Sequence, residues 1–308
     1  MLYAILVILV IYLSIGWFFS LKVDKPKVSD YEFTKRKAIE IDGIDPEEYD
    51  ALEKEEFYLT SSYGYPLHCL YFPELKSKKT IVFSHCITWS LWGSVKYISF
   101  FKRLGFNILL YDHRYHGKSG GKSVTYGEYE KHDLKTVVDW VYERTGKDSI
   151  VGVHGESYGS AVAIEHAGID KRLAFLISDC GFSELIELFK CHLWPDFHIP
   201  SLMVIPISRL FIRFRTGVDI KMINPIETIK NVSVPVFFIH GQKDQYIPAE
   251  MTKMMYKEKK SGKKGILLVE QAEHANSYQT ATEEYQRALF EFFAELGIVE
   301  KENKRETV

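Results

Sequence analysis

The chain has 308 residues, 46% of them hydrophobic, enough for a large core, which excludes a disordered chain and a disulfide-stapled miniprotein. Its 39 basic and 41 acidic side chains leave a formal net charge of −2, so no basic surface is available to neutralise nucleic-acid phosphates. Cys69, Cys86, Cys180 and Cys191 form no CxxC pair, which argues against a thiolate zinc site, and lone thiols suit a reducing compartment.

Met1 to Leu21 carry no charged side chain. As a helix rising ~1.5 Å per residue, Leu2 to Leu21 spans roughly the hydrocarbon core of a bilayer. Trp17, Phe18 and Phe19 stand near its end, where aromatic rings favour the membrane interface. A secretory signal would start with basic residues and end in a small-residue cleavage site, and this segment has neither. Residues 1–22 are therefore expected to be a single-pass transmembrane anchor that contributes location only. Lys22, Lys25, Lys27, Lys35, Arg36 and Lys37 follow the span, which predicts a cell-membrane protein with its body in the cytoplasm.

Residues 23–56 form a charged juxtamembrane segment, with a short surface helix expected over Glu47–Glu56. Apolar strands then alternate with amphipathic helices through residues 57–298. The expected strands are Phe57–Thr60, Leu67–Phe72, Thr80–His85, Asn107–Asp112, Ile150–His154, Leu173–Asp179, Val234–His240 and Gly265–Val269. Helices are expected at Ser94–Leu104, Tyr126–Thr145, Tyr158–Gly168, Ala249–Lys259 and Tyr278–Leu296. This alternation predicts an α/β fold with a mostly parallel eight-stranded sheet covered on both faces.

After the sixth strand the rhythm breaks, and an apolar, proline-punctuated stretch at about 182–232 reads as a helical cap over a site. It carries Leu185, Leu188, Phe189, Trp194, Phe197, Leu202, Met203, Val204, Phe211 and Phe214, of which some should face substrate and some the sheet. Arg209, Arg213 and Arg215 among them either meet anionic lipid headgroups or are solvated helix charges. Residues 299–308 are a charged tail.

The chemistry concentrates at Gly155-Glu156-Ser157-Tyr158-Gly159, a GxSxG between a predicted strand and a predicted helix. Such a turn lifts a serine hydroxyl above the sheet, with a helix N-terminus beneath it. A serine needs a base, and in this topology the acid and then the histidine follow it in the chain. His274, in a loop before the last helix, is the one histidine after the last strand-end carboxylate. The acid is Asp244, in the loop after VFFIHG, or Asp179, at the end of the preceding strand; chain order and loop placement favour Asp244. Two backbone N–H groups should stabilise the oxyanion, one from Tyr158 and the other from Ile87 in the loop after IVFSH. His113 and His116 are spaced HxxH, but no further ligand joins them, so no metal or other cofactor is expected.

The chain resembles the serine α/β-hydrolases, in particular their bacterial, membrane-anchored, esterase-like branch. The resemblance rests on SHCIT, DHRYHGKSGG (Asp112–Gly121), YGEYEKHDL, HGESYG, HGQKD and EHANSY, which occur in family order from Phe57 to Leu296. It implies an α/β-hydrolase fold with Ser157, Asp244 and His274 as triad and Ile87 and Tyr158 as oxyanion donors. One departure is His85-Cys86 where the family usually has His-Gly, so a Cβ there bears on the Ile87 amide. The expected activity is hydrolysis of carboxylic esters, with apolar or medium-chain acyl groups favoured. Thioesterase action, lysophospholipase or monoacylglycerol-lipase-type action, and a non-catalytic ligand-binding role on the same scaffold are the alternatives.

Overall fold

The computed structural model describes residues 1–42 and 44–300, so most of the charged tail expected at 299–308 lies outside the described residues. Eight strands form one sheet: β1 (Glu55–Thr60), β2 (Pro66–Phe72), β3 (Lys79–Ser84), β4 (Asn107–Tyr111), β5 (Ile150–Glu156), β6 (Phe175–Asp179), β7 (Val236–Gly241) and β8 (Lys264–Val269). Their order across the sheet is β1-β2-β4-β3-β5-β6-β7-β8. β1 and β2 pair antiparallel, β2 pairs antiparallel with β4, and every other pair is parallel. All eight strands fall where the apolar runs predict them.

The runs are continuous because both faces of the sheet are buried. Val82, Leu109, Val151, Val153 and Leu176 face one core, while Ile81, Phe83, Ile108, Phe175 and Ile177 face the other. The first core is closed by α5 (Glu130–Thr145), α6 (Tyr158–Ile169) and α10 (Ala249–Glu258). Leu134, Val137, Val138 and Val141 of α5 lie fully buried along the face their spacing predicts. The second core is closed by a 3₁₀ turn (Leu91–Tyr97), α4 (Ile98–Arg103) and α12 (Thr282–Glu295); a single turn, α11 (Ser277–Thr280), precedes α12. Each of the helices expected at Ser94–Leu104 and Tyr278–Leu296 is thus split in two.

The N-terminal third differs more from expectation. A helix α1 (Leu2–Asp24) is long and apolar enough to cross a membrane by length and composition. Next come α2 (Tyr31–Asp42), which sequence patterning missed, and α3 (Pro46–Ala51), shorter than predicted because Glu55 and Glu56 already belong to β1. The 23–56 segment is not a loose linker. Its Ser29 N–H donates to the Thr88 carbonyl at 2.8 Å, and the Thr34 and Ser90 hydroxyls are 2.6 Å apart.

The expected cap is the β6–β7 connection, with α7 (Leu185–Phe197), α8 (Ser201–Thr216), a 3₁₀ turn (Ile220–Met222) and α9 (Pro225–Ile229). The second half of α1 is built into this cap. Gly16 meets Ile207 so closely that a Cβ at position 16 would lie 2.4 Å from Ile207 Cγ2, and the Ser208 hydroxyl donates to the Gly16 carbonyl at 3.2 Å. Phe19 is buried edge-on to Phe197. Arg215 grips the buried Asp24 carboxylate through Nε and one terminal nitrogen at 2.7 and 2.8 Å. Arg209 is likewise paired, with Asp219, so of the three cap arginines only Arg213 is exposed and without a carboxylate partner among the described residues. Residues 1–11, in contrast, are exposed all round.

Helix α1 therefore has a free half and a packed half, and the packed half is part of the folded body. Deleting residues 1–11 should leave thermal stability of the detergent-solubilised protein unchanged. Deleting residues 1–21 also strips Phe19 from the cap, a loss of about 2 kcal/mol and roughly 4–8 °C in melting temperature. Equal melting of the two truncations would show that the α1–α8 contact is not stabilising.

Candidate active site

β5 runs directly into Ser157, whose φ of 58° and ψ of −119° turn the chain sharply into α6. A non-glycine residue at positive φ is strained by ~1–3 kcal/mol and must be held by its surroundings. The Ser157 N–H donates to the Asp179 carbonyl at 2.8 Å, which fixes the turn from the β6 side. The glycines on either side follow from close approach: a Cβ on Gly155 would lie 2.4 Å from the Gly159 carbonyl oxygen. One on Gly159 would lie 1.9 Å from that of Ser84. The GxSxG spacing thus brings α6 against β3 and leaves the hydroxyl at the C-terminal end of the sheet, where open α/β sheets bind ligands.

The loops after β7 and β8 bring Asp244 and His274 to that hydroxyl. Ser157 Oγ lies 2.8 Å from His274 Nε2, and His274 Nδ1 lies 2.7 Å from Asp244 Oδ2. With Nδ1 donating to the carboxylate, Nε2 is free to accept the serine proton. Asp244 Oδ1 accepts the Tyr246 and Ile247 N–H groups at 2.9 and 2.8 Å, while Oδ2 also accepts His240 Nε2 at 3.0 Å. Burial opposes the Asp244 charge. The His240 and His274 hydrogen bonds, with the Ile247 amide, outweigh it and hold the carboxyl far below the usual range. Asp179 is not joined to His274 by any hydrogen bond among the described residues. It accepts from the Tyr285 hydroxyl at 3.0 Å instead.

Tyr158 opens α6, so its N–H belongs to the first helical turn, which has no intrahelical acceptor. The Ile87 N–H has no acceptor among the described residues, and Ile87 lines the same cavity as Ser157. The loop that carries it is pinned by histidines. His85 Nδ1 donates to the Cys86 carbonyl at 2.7 Å, while its Nε2 accepts the His113 N–H at 2.9 Å. His116 Nε2 accepts the Thr88 N–H at 3.1 Å, and His113 Nε2 lies 2.9 Å from the Ser84 hydroxyl. Burial first, then neighbouring imidazoles, lowers His85 to about 4 and holds His113 well below its usual value, so both rings stay neutral. The HxxH pair is engaged with this loop, and no cluster of three metal-ligating side chains occurs among the described residues.

Cys86 fits the loop by turning its thiol to Glu156 Oε2 at 3.2 Å. Burial and that carboxylate push the thiol well above its usual value, so it remains a protonated donor. Glu156, the residue before the nucleophile, also accepts Lys96 Nζ at 2.8 Å and the Tyr97 hydroxyl at 3.1 Å. Lys96 Nζ reaches on to the Ala275 carbonyl at 3.3 Å, immediately after His274 and at a residue with a positive φ of 55°. A buried lysine thereby ties the nucleophile turn to the base loop. Replacing Lys96 by Met strands the Glu156 charge, at a cost of about 3–5 kcal/mol. Denaturant titration should show most of that loss recovered in the Lys96→Met/Glu156→Gln double variant; equal instability of both would place the effect outside the ion pair.

The cavity over Ser157 is about 670 Å³ with mixed walls: Ile41, Ile87 and Trp89 stand beside Asp42, Lys96, Glu273, Asn276 and Gln279. Asp42, at the end of α2, accepts the Gln279 amide at 2.6 Å. Sequence reasoning placed none of Asp42, Lys96 and His240 at the site. His240 carried the one available signal, since it ends β7 four residues before the acid. The other two arrive from separate elements and leave no spacing to detect.

The sequence profile of the alpha/beta hydrolase fold matches residues 79–204. The uncharacterised protein YqkD of Bacillus subtilis (strain 168) is 36% identical over 248 residues, which cover 80% of this chain and 81% of that one. The chain belongs to the α/β-hydrolase family. Within it, the Pyrococcus furiosus esterase Pf2001 superposes with a TM-score of 0.67 at 26% identity, covering 82% of this chain and 94% of that one. The lysophosphatidylserine lipase ABHD12 of Macaca fascicularis is 26% identical over 170 residues, half of this chain but only 38% of that protein. This α/β-hydrolase is thus similar to hydrolases of esters, one of them acting on a lipid.

Proposed function

We propose that this protein is a membrane-anchored serine hydrolase that cleaves carboxylic esters through an acyl-enzyme. The observation that carries the reading is the unbroken Ser157–His274–Asp244 chain of hydrogen bonds, 2.8 and 2.7 Å long, at the C-terminal end of the sheet. Ser157 Oγ attacks the ester carbonyl carbon as His274 Nε2 takes its proton, and the oxyanion draws on the Ile87 and Tyr158 N–H groups. The carbon–oxygen bond to the alcohol then breaks, and His274 returns the proton to the departing alcohol. A water, deprotonated by His274, attacks the acyl-enzyme and releases the acid and the free serine. Asp244 stays ionised throughout, holding the imidazole in its Nδ1–H tautomer and stabilising the imidazolium.

The apolar cap favours acyl substituents, and the esterase likeness to Pf2001 supports carboxylic esters over amides. A lysophospholipase-type activity is the second reading, supported by α1 packing on the cap beside the site and by the partial likeness to the lipase ABHD12. The α1–cap contact also supports an anchor over a removable leader, because removal of residues 1–21 would take Phe19 from Phe197 and uncover Ile207. The lysines and arginine after the span favour a cytoplasmic body. The test is labelling of the full chain by a fluorophosphonate probe together with turnover of p-nitrophenyl butyrate. A protein that takes up no probe at Ser157 and turns over no ester is not a serine hydrolase.

A further inference from the structure

A second cavity, about 230 Å³, lies where α1, α7 and α8 meet. Its walls are mostly apolar, with Phe19 and Val23 from α1, Phe189 and Leu193 from α7, and Val204 and Ile205 from α8, beside Lys22, His192, Asp196 and Ser208. Tyr246 lines this cavity and also the larger one over Ser157. Its ring centroid is 5.0 Å from that of His274, and its carbonyl accepts His192 Nε2 at 2.8 Å. One side chain therefore stands between a wider chamber of mixed walls holding the nucleophile and a narrower, more apolar one walled by α1.

The three helices that wall the narrow cavity also carry exposed apolar side chains. Trp17 and Phe18 of α1, Trp194 of α7, and Leu202, Met203 and Phe214 of α8 are all exposed, some of them more than four-fifths. Large apolar side chains exposed on the helices around one cavity suit a surface that is covered in use. They stand on α1 and on the two helices packed beside it, so a membrane that received α1 would lie next to them. Lys22 and Asp196 are the basic and acidic side chains on the wall of the same cavity.

Resting on the serine-hydrolase reading, we propose that this cavity is an acyl-chain slot entered sideways from the bilayer, with α1 as one wall and Tyr246 at its junction with the catalytic chamber. Its volume is below that of drug-sized pockets, which suits one slim chain and not a ring system or a pair of chains. The substrate class that follows is a single-chain acyl ester of a polar alcohol. Its carbonyl sits at Ser157, its chain runs past Tyr246 into the slot, and its alcohol occupies the catalytic chamber beside the polar side chains of Asn276 and Gln279. The anchor then shapes the substrate site as well as holding the enzyme at its substrate.

The experiment uses the full chain in phosphatidylcholine nanodiscs, comparing wild type with Ile205→Trp and Val23→Trp, which fill the slot from opposite walls. The readout is the ratio of kcat/KM for p-nitrophenyl octanoate to that for the acetate. Each methylene received by the slot contributes ~0.8 kcal/mol, roughly fourfold, so excluding the roughly three that reach past Tyr246 should lower the ratio on the order of 100-fold in both variants. An unchanged ratio in folded variants overturns the slot. A wild type without acetate turnover or fluorophosphonate labelling overturns the hydrolase reading instead, and a second measurement still decides the slot. A diazirine-bearing palmitate in the same nanodiscs should crosslink to the wild-type α7 and α8 segments that face the cavity. Absence of adducts there overturns the proposal whether or not the protein is an enzyme, and also covers the case where Ile205→Trp and Val23→Trp fail to fold.

Discussion

Ser157→Ala should reduce ester turnover by on the order of 10⁴–10⁶ in kcat while leaving the fold unchanged. The hydroxyl makes its hydrogen bond to His274, so its removal takes away the attacking atom and nothing that holds the loops. The positive φ at position 157 strains any side chain that carries a Cβ, and alanine has the same Cβ as serine, so the turn is no more costly in the variant. The Ser157 N–H bond to the Asp179 carbonyl is also retained, since it belongs to the backbone. Steady-state hydrolysis of p-nitrophenyl butyrate and fluorophosphonate labelling measure the effect, and thermal melting checks the fold. Turnover near the wild-type level would remove Ser157 from the reaction.

The fold was legible because its central strands are buried on both faces, and such strands appear as unbroken apolar runs flanked by turn residues. The elbow was legible because only glycine fits beside Ser84 and Gly159, so chemistry and sterics leave their mark on the same five residues. Other features left no such mark. The helix α2 hides in a charged sequence, because only Thr34 and Ala38 of its twelve residues are fully buried. The Lys96–Glu156 pair joins residues sixty positions apart, and a single lysine in a 3₁₀ turn resembles any surface lysine until its burial is seen. In α1, Gly16 reads as one more small residue of a span, although it is where the helix meets Ile207. The cap composition was plain but its facing was not: Leu185, Leu188 and Val204 turn inward, while Trp194, Leu202 and Phe214 turn outward.

Asp244→Asn should lower kcat on the order of 10⁴, whereas Asp179→Asn should have little effect on kcat. An asparagine at 244 can keep its oxygen on the Tyr246 and Ile247 amides, which turns its NH₂ group towards His274 Nδ1 and His240 Nε2. A donor facing Nδ1 forces the proton of His274 onto Nε2, and a protonated Nε2 cannot accept from Ser157. Asp179 is in the opposite situation. Burial first, then the neighbouring Glu156 carboxylate, raises it well above the ordinary carboxylate range, so that it tends to remain protonated against Tyr285. Asparagine copies that neutral, hydrogen-bonded form. The same shift sets a sign for stability. A carboxyl whose pKa is raised on folding binds more protons folded than unfolded, so the fold loses stability as pH rises from the ordinary aspartate value through the raised one. Denaturant midpoints measured across that window should fall for wild type relative to Asp179→Asn, with the gap opening towards alkaline pH. If Asp179→Asn were instead the variant that lost turnover, the acid of the relay would lie at the end of β6, and Asp244 would be a structural carboxylate that caps its own loop.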